Sequence, residues 1–155
     1  MKVSAEDKAA ALLGIRPHFR RELAQKLAVR EYESEEIEAA LDHLASLGYL
    51  DDERTAREFV AARQARKSEG FLRLKLELER RGAPPEAVAA ALAELPDDDL
   101  APCQDAAEAW RRAHPKGNVA SLARHLARKG FRQRSIVEVC RSLDAAGGAE
   151  LDLED

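Results

Sequence analysis

The feature that most constrains the fold is a spacing of apolar residues that occurs three times along the chain. Counted from Gly82, leucines lie eight and four residues earlier, a base one residue earlier, and apolar residues six, ten and thirteen residues later. The same spacing holds around Gly130 and around Glu31, each time without a gap. A period of about 50 residues is typical of tandem helical units. The apolar positions are Leu23, Leu27, Ile37, Leu41 and Leu44; Leu74, Leu78, Val88, Leu92 and Leu95; and Leu122, Leu126, Ile136, Cys140 and Leu143.

Each copy of this spacing predicts two helices joined by a turn. Residues four apart lie on one face of a helix, so each set of apolar positions defines a buried stripe. Glycine at the anchor suits the left-handed backbone that ends many helices. Because Glu31 replaces glycine in the first copy, its turn is predicted to be built differently. The second helix of each pair is predicted to begin at Ser34, at Pro84 or Pro85, and at Gln133 or Ser135.

A further helix is predicted before each pair, over residues 5–13, 52–67 and 102–113, with breaks at 48–51, 96–99 and 114–118. The 155 residues are 45% hydrophobic but hold only seven aromatic residues, so the core must be built mainly from Leu and Ala. The chain is therefore predicted to be all-α. Its domains are predicted as three-helix repeats over 1–48, 49–97 and 98–144, followed by a disordered acidic tail over 145–155.

Residues 71–78 alternate apolar and polar side chains, which is also the period of a β-strand. The segment is rich in Leu, Lys, Glu and Arg, which favour helices, and lacks the β-branched residues that favour strands. The repeat also aligns it with residues 122–129, whose spacing is helical. Helix is the favoured interpretation, and it leaves Leu72 and Leu76 off the main stripe, facing a neighbouring unit or a partner.

The sequence shows no spacing typical of a catalytic, metal or nucleotide site, so we expect no enzymatic activity, no metal and no cofactor. The acidic runs at 51–53 and 97–99 are interpreted as helix-start and linker residues rather than as metal ligands. Cys140 and Trp110 are interpreted as core residues. The four histidines stand singly, at His18, His43, His114 and His125.

Cysteine use and hydropathy bear on the compartment. Cys103 and Cys140 are 37 residues apart and show no ligand spacing, which is typical of a reducing environment. No apolar stretch approaches the roughly 20 residues that span a bilayer, and no secretory leader is apparent. We therefore expect a cytoplasmic protein without membrane contact.

Charge alternates in blocks along the chain although the net charge is only −4. Residues 31–53 hold nine acids and no base, residues 54–82 nine bases and four acids, and residues 109–137 eight bases and no acid. A base near a helix C-terminus can compensate the helix dipole, and a solvated face is a further explanation. Neither requires eight bases without an acid, so a polyanionic partner is favoured. The candidate filament- or DNA-binding residues are Arg73, Lys75, Arg80, Arg81, Arg124, Arg128, Lys129, Arg132 and Arg134.

Three segments carry a resemblance to a known family. Residues 47–56 read LGYLDDERTA and are followed by Phe59, Val60 and Arg63; residues 77–82 read ELERRG; and Arg16 precedes Glu22-Leu23 and Leu27. Together they resemble the RecX family of recombinase regulators over about residues 12–143. Phe19, with Pro17 nearby, stands where that family usually carries Ser, and Pro17 is predicted to start the second helix.

The resemblance implies three helix-turn-helix-like repeats in an elongated, curved arrangement. It implies a monomer that lies along the groove of a RecA-type recombinase filament on single-stranded DNA, opposes filament growth, and damps ATP hydrolysis and strand exchange. It also implies a place in DNA repair, recombination and the SOS response.

Two other functions remain open at the level of sequence. The first is non-specific DNA binding, with weak direct contact through a helix-turn-helix in the third copy. Residues 135–143 offer only Glu138 and Arg141 as long polar side chains, too few for base readout. The second is a helical adaptor without nucleic-acid contact. Phosphate contacts predict an affinity that falls steeply with salt, whereas an apolar interface does not.

Overall fold

The computed structural model describes residues 2–66 and 68–153, with side chains up to residue 146. Regular structure in these residues is entirely helical, which confirms the all-α prediction and the helical interpretation of residues 71–78. The helices form three tandem groups of three: α1 (Ala5–Ile15), α2 (Arg20–Val29) and α3 (Ser34–Ser46); α4 (Asp52–Arg66), α5 (Phe71–Arg81) and α6 (Pro85–Ala93); α7 (Leu100–Ala113), α8 (Val119–Arg128) and α9 (Gln133–Leu153).

The middle helix of each group ends in the same left-handed turn. Gly82 and Gly130 have φ values of +95° and +86°, as the glycine anchors predicted. The residue after each anchor donates its N–H to the carbonyl five residues earlier, as in Ala83 to Leu78 at 3.0 Å and Phe131 to Leu126 at 3.3 Å. These bonds define a Schellman motif, which satisfies carbonyls at the end of a helix.

The prediction that the first copy builds its turn differently is wrong. Glu31 has a φ of +66°, and the N–H of Tyr32 donates to the carbonyl of Leu27 at 3.2 Å, as in the other copies. A side chain is tolerated in this conformation at a cost of about 1–2 kcal/mol. The two hydrogen bonds and the burial of Leu27 oppose that cost, so the turn persists without glycine.

Several helix boundaries differ from those predicted. α2 begins at Arg20 rather than at Pro17, because the N–H of Phe19 is bound by the Glu22 carboxylate at 3.0 Å and Phe19 itself is buried. α6 ends at Ala93, so Leu95 lies beyond the helix. α9 is helical to Leu153, and the predicted disorder of the acidic tail over 145–155 stays a prediction. The acidic side chains of that tail beyond residue 146 lie outside the described residues.

Contacts divide the chain into two compact units. Unit 1 is Met1–Val60 with Glu77–Ala93, and unit 2 is Ala61–Leu76 with Glu94–Asp155. The division passes through α4 and α5, so each of these helices contributes residues to both units.

The main core of unit 1 packs α1, α2 and α3 together, with Leu50 after them. Alanines supply the α1 face, which lets that helix lie close to its neighbours. The stripe residues predicted for α2 and α3 are all buried there. The cluster consists of Ala5, Ala9, Leu23, Leu27, Ile37, Ala40, Leu41, Leu44 and Leu50.

A buried histidine lies at the start of α2 in unit 1. The ring of His18 is only 2% exposed; its Nδ1 lies 2.9 Å from the Arg16 carbonyl oxygen, and its Nε2 lies 2.8 Å from Lys26 Nζ. These partners fit a neutral ring that donates from Nδ1 and accepts at Nε2. Burial lowers the pKa of His18. The hydrogen bond to the Arg16 carbonyl raises this pKa, but the charges of Arg16 and Lys26 lower it, and the overall shift is downward.

The core of unit 2 packs α7, α8 and α9 together. Cys103 is fully buried, and burial, with a smaller contribution from Asp99, raises the pKa of its thiol to about 12. Cys140 is half-buried, and burial raises its pKa as well. Both thiols therefore stay protonated at neutral pH and act as small apolar groups. The buried members are Cys103, Ala106, Ala107, Leu122, Leu126, Phe131, Ile136 and Val139.

Unit 2 also contains a direct backbone contact between the end of α8 and the start of α5. The N–H groups of Gly70 and Leu72 donate to the carbonyls of Lys129 and Gly130 at 2.9 and 3.0 Å. A Cβ on Gly70 would lie 2.3 Å from the Gly130 oxygen, and a Cβ on Gly130 would lie 2.2 Å from the backbone nitrogen of Arg73. Both glycines are therefore required by this close approach.

The side chain of Asp99 connects the start of α5 to the start of α9 in the same region. Its carboxylate is buried and accepts from the Phe71 N–H at 3.4 Å, the Arg132 N–H at 3.0 Å and the Ser135 hydroxyl at 2.5 Å. In unit 1, Asp52 makes the corresponding bond to the N–H of Arg20, the first residue of α2, at 2.9 Å. A carboxylate thus binds the first N–H of α2 and of α5, where the helix dipole is positive.

We expect Gly130→Ala to lower the free energy of unfolding by roughly 2–5 kcal/mol, because it adds left-handed strain to a backbone clash. Gly14→Ala is the matched control. Gly14 lies inside α1 with open space around its missing Cβ, so the same change should raise stability by roughly 0.5–1 kcal/mol. Urea unfolding followed by circular dichroism measures both. Equal midpoints for the two variants would contradict the close contact at Gly130.

We expect the stability of the protein to fall as the pH drops through about 6.5, the pKa of an unperturbed histidine. The folded pKa of His18 is lowered from 6.5, as is that of His125. Below about pH 6.5 the unfolded chain therefore binds more protons than the folded chain. The stabilisation from the two neutral histidines is complete above that pH and is lost as the pH falls toward their folded pKa values. Urea titrations of the protein and of His18→Gln/His125→Gln test this, and the double variant should show a shallower slope. A flat profile for the unmodified protein would contradict it.

Candidate functional site

The nine basic residues predicted as a binding site fall in both compact units. Arg80 and Arg81 belong to unit 1, at the end of α5. The other seven belong to unit 2: Arg73, Lys75, Arg124, Arg128, Lys129, Arg132 and Arg134.

The contact between α5 and α8 brings four of these residues into one part of unit 2, which we call the junction cluster: Arg73, Arg128, Lys129 and Arg132. Arg73 Nη1 lies 3.4 Å from the Arg128 carbonyl, and the Lys129 carbonyl accepts from Gly70. Arg132 approaches the same helix start through Asp99. Residues about 55 apart in sequence thus contribute to one basic surface.

Hydrogen bonds to a backbone carbonyl hold the side chains of Arg132 and Arg134 in place. Each donates to the backbone carbonyl of Asp97 at 2.8 Å. The Arg132 guanidinium also lies 4.1 Å from the centre of the Phe71 ring. A carbonyl and an aromatic face carry no net charge, so these contacts restrict the position of the guanidinium without forming an ion pair. The carboxylates of Asp98 and Asp99 line the same pocket as Arg132 and offset part of its positive potential.

Arg73, like Arg132 beside Asp99, has an acidic neighbour. Its Nε lies 4.0 Å from Glu69, a buried carboxylate that Arg63 binds in a bidentate pair at 2.8 and 2.9 Å. Bidentate geometry favours Arg63 as the principal partner of Glu69. Glu69, although it lies in the basic segment 54–82, is therefore paired within the structural framework of unit 2.

The remaining unit 2 candidates lie on exposed helix surface. Arg124 and Arg128 are one turn apart on α8, both exposed, and Arg124 donates to the Ser121 hydroxyl at 3.1 Å. Lys75 is exposed on α5. Burial, and then the charges of Lys129 and Arg128, lower the pKa of His125 on the same helix. The neighbouring cations thus add to an effect that is due mainly to burial.

Arg80 and Arg81 lie in a groove of about 380 Å³ in unit 1. It runs between the last turns of α2 and α5, and we call it the unit 1 groove. Sequence reasoning missed two of its cations, Lys26 and Arg30, because they precede the acidic block by which the first copy was judged. Arg30 shares its repeat position with Arg81, which was the available signal. The groove is lined by Glu22, Gln25, Lys26, Val29, Arg30, Arg80 and Arg81.

Glu22 is the acid in the lining of this groove. Its carboxylate binds Arg16 at 2.9 Å and the N–H of Phe19 at 3.0 Å, and it lies 3.9 Å from Arg81. Burial raises the pKa of Glu22, but the bonds from Arg16 and Phe19 outweigh it and lower the pKa overall. Glu22 therefore stays ionised at neutral pH and fixes Arg81 beside the groove.

Other features singled out in the sequence have structural roles. Trp110 is half-buried, packs against the unit 2 core and stacks on the His114 ring at 4.6 Å between centres. In the described ranges, no three His, Cys, Asp or Glu side chains are placed to hold a metal ion. None of the helices described is long and apolar enough to cross a membrane.

Comparison with known proteins agrees with this architecture. The domain pattern described as "RecX, first three-helix domain" matches residues 5–44, and "RecX, second three-helix domain" matches residues 51–92. The chain is similar to "Regulatory protein RecX" of Chlorobaculum tepidum, with 33% identity over 157 residues covering 99% of this chain and 97% of that protein. The protein of the same name from Prosthecochloris aestuarii is 33% identical over 135 residues, covering 85% of this chain and 88% of that protein.

A solved structure shares the fold. The crystal structure of RecX from Lactobacillus salivarius superposes with a TM-score of 0.80 at 20% identity, covering 91% of this chain and 95% of that one. The two domain matches, and relatives at one-third identity over nearly their whole length, show that the chain belongs to the RecX family of regulatory proteins.

Proposed function

We propose that this protein is a non-enzymatic inhibitor of RecA-type recombinase filaments, binding as a monomer along the groove of the filament on single-stranded DNA in the cytoplasm. The observation that carries the proposal is the junction cluster. It concentrates cations from α5 and α8 on a surface that a nucleoprotein filament, with its exposed phosphates, can bind.

Membership of the family of regulatory proteins supports the regulatory part of this proposal. The modular fold supports the filament part, because successive three-helix groups offer repeated contact surfaces to a polymer of identical subunits. Occupation of the groove would oppose the subunit additions and movements on which ATP hydrolysis and strand exchange depend. The proposal places the protein in DNA recombination and repair, within the SOS response.

The start of α9 favours backbone contact over base readout. The exposed side chains of its first two turns are Gln133, Arg134, Val137 and Glu138. Arg134 is bound to the Asp97 carbonyl, Ser135 is buried on Asp99, and Val137 is 41% exposed. An apolar residue and an acid at this position are poor readers of base edges. Sequence-specific DNA binding through this helix is therefore disfavoured relative to contact through the cations of the junction cluster.

We expect Arg124→Glu/Arg128→Glu/Lys129→Glu to bind recombinase filaments at least tenfold more weakly and to inhibit their DNA-dependent ATPase correspondingly less. The reversal places three negative charges beside the filament phosphates. Co-sedimentation with filaments on single-stranded DNA measures the binding, and filament length by electron microscopy gives an independent readout. Circular dichroism verifies that helicity is retained.

The matched control is Arg111→Glu/Arg112→Glu/Lys116→Glu, which changes net charge equally at exposed residues at the end of α7 and beyond it. Its affinity should fall by a smaller factor. Equal losses in both triples would reduce the effect to net charge. Unchanged ATPase and filament length at saturating unmodified protein would overturn the proposed function itself. An affinity that does not vary with salt would support an apolar adaptor interface instead.

A further inference from the structure

The unit 1 groove is assembled from two helices that are distant in sequence. The last turn of α2 contributes Lys26, Val29 and Arg30, and the last turn of α5 contributes Arg80 and Arg81. The backbone at Gly82 lies close to α2, where a Cβ on Gly82 would be 3.2 Å from the Cβ of Arg21. The groove is thus a fixed feature of unit 1, built where one copy of the repeat contacts the next.

Compensation of helix dipoles accounts for only part of its charge. One cation per helix end is enough for that role, and Arg30 fulfils it for α2 by donating to the Lys26 carbonyl at 3.0 Å. The lining nevertheless holds four cations against the single carboxylate of Glu22. Like charges in one groove repel each other, so an excess of this size is explained by an anionic ligand.

Two of the four cations are positioned before any ligand binds. The ammonium of Lys26 is held by buried His18 at 2.8 Å, and Arg81 is held by Glu22 and lies 5.2 Å from the centre of the Phe59 ring. The other two are more exposed: Arg30 donates to the Lys26 carbonyl at 3.0 Å, and the Arg80 side chain is 66% exposed with a 3.5 Å pair to Glu77. Cations that are already held in place lower the entropic cost of binding, and exposed cations can change conformation to fit an irregular partner.

The uncharged members of the lining indicate what kind of anion it is. Val29 is 81% exposed between the cations, and Gln25 adds an amide. An exposed apolar side chain beside phosphate-binding cations suits a nucleotide chain, which presents sugars and base faces next to its phosphates. A polyanion without sugars, bases or apolar side chains, such as poly-glutamate, would leave Val29 unused.

We propose that the unit 1 groove is a second binding site, which takes the phosphodiester backbone of single-stranded nucleic acid on Lys26, Arg30, Arg80 and Arg81. This inference deepens the proposed function, since the same protein would then engage the DNA of the filament through unit 1 as well as unit 2. Its test nevertheless requires no recombinase.

The test measures binding of the full chain to a fluorescent oligothymidylate of about 16 nucleotides by anisotropy over a range of salt concentrations. The groove variant is Arg30→Gln/Arg80→Gln, which removes the two adaptable cations without touching a buried residue. Its affinity should fall roughly tenfold. The slope of log affinity against log salt should become shallower by about 1.4, because each phosphate contact to a single strand contributes about 0.7.

The matched control is Lys8→Gln/Arg54→Gln, which removes two cations from unit 1 outside the groove lining and should leave the slope unchanged. Arg30→Lys/Arg80→Lys should restore most of the affinity, which distinguishes lost charge from lost structure. An unchanged affinity and slope in the Gln variant would overturn the proposal, as would equal losses in the control.

The competitors identify the ligand class. Inorganic phosphate at matched ionic strength should displace little of the oligonucleotide, and a poly-glutamate peptide of equal charge should compete less well than unlabelled oligothymidylate. Efficient displacement by phosphate would reassign the groove to small anions, and efficient displacement by the peptide would reassign it to an acidic protein. Either result overturns the nucleic-acid assignment. Inhibition of the recombinase ATPase is scored separately, so the proposed function survives or fails on its own assay.

Discussion

The structure depends on the left-handed turn that ends each middle helix. At Glu31, Gly82 and Gly130 the chain reverses through the same pair of hydrogen bonds, and this sets the start of the next helix against the preceding one. In unit 2 the turn at Gly130 has a second function, because its carbonyl and that of Lys129 accept from the N–H groups of Leu72 and Gly70 at the start of α5. One backbone conformation therefore organises both the helix pair and its contact with the preceding copy.

Most of this architecture is visible in the sequence because it arises from local periodicity. The spacing of Leu74, Leu78 and Val88 around Gly82 defines two stripes and a turn, and these residues are buried as the spacing predicts. The errors arose where hydrogen bonds outweighed the conformational preference of a single residue. Glu31 adopts a conformation that favours glycine, and α2 begins at Arg20 because Glu22 and Asp52 bind the N–H groups at its start.

The candidate site was less predictable because charge was counted along the chain, whereas the fold combines charges across copies. Residues 31–53 hold nine acids and no base, yet Lys26 and Arg30 lie just before that block and share a groove with Arg80 and Arg81. Conversely, Glu69 is an acid within a basic block that is bound by Arg63 inside unit 2. Counting charges along the sequence cannot distinguish a carboxylate that neutralises surface cations from one that is paired inside the fold.

The same side chains therefore serve the fold and the candidate binding surfaces to different degrees. Arg132 bonds the Asp97 carbonyl and covers Phe71, and Arg81 pairs with Glu22, so removing either would disturb packing as well as charge. Arg30 and Arg80 are exposed cations, and their removal costs only the surface bond of Arg30 to the Lys26 carbonyl and the surface pair of Arg80 with Glu77 besides the change in surface potential. Anchored cations define where an anion binds, and exposed cations contribute affinity without supporting the core. A test of function is consequently cleanest at the exposed members, where a change in binding can be separated from a change in folding.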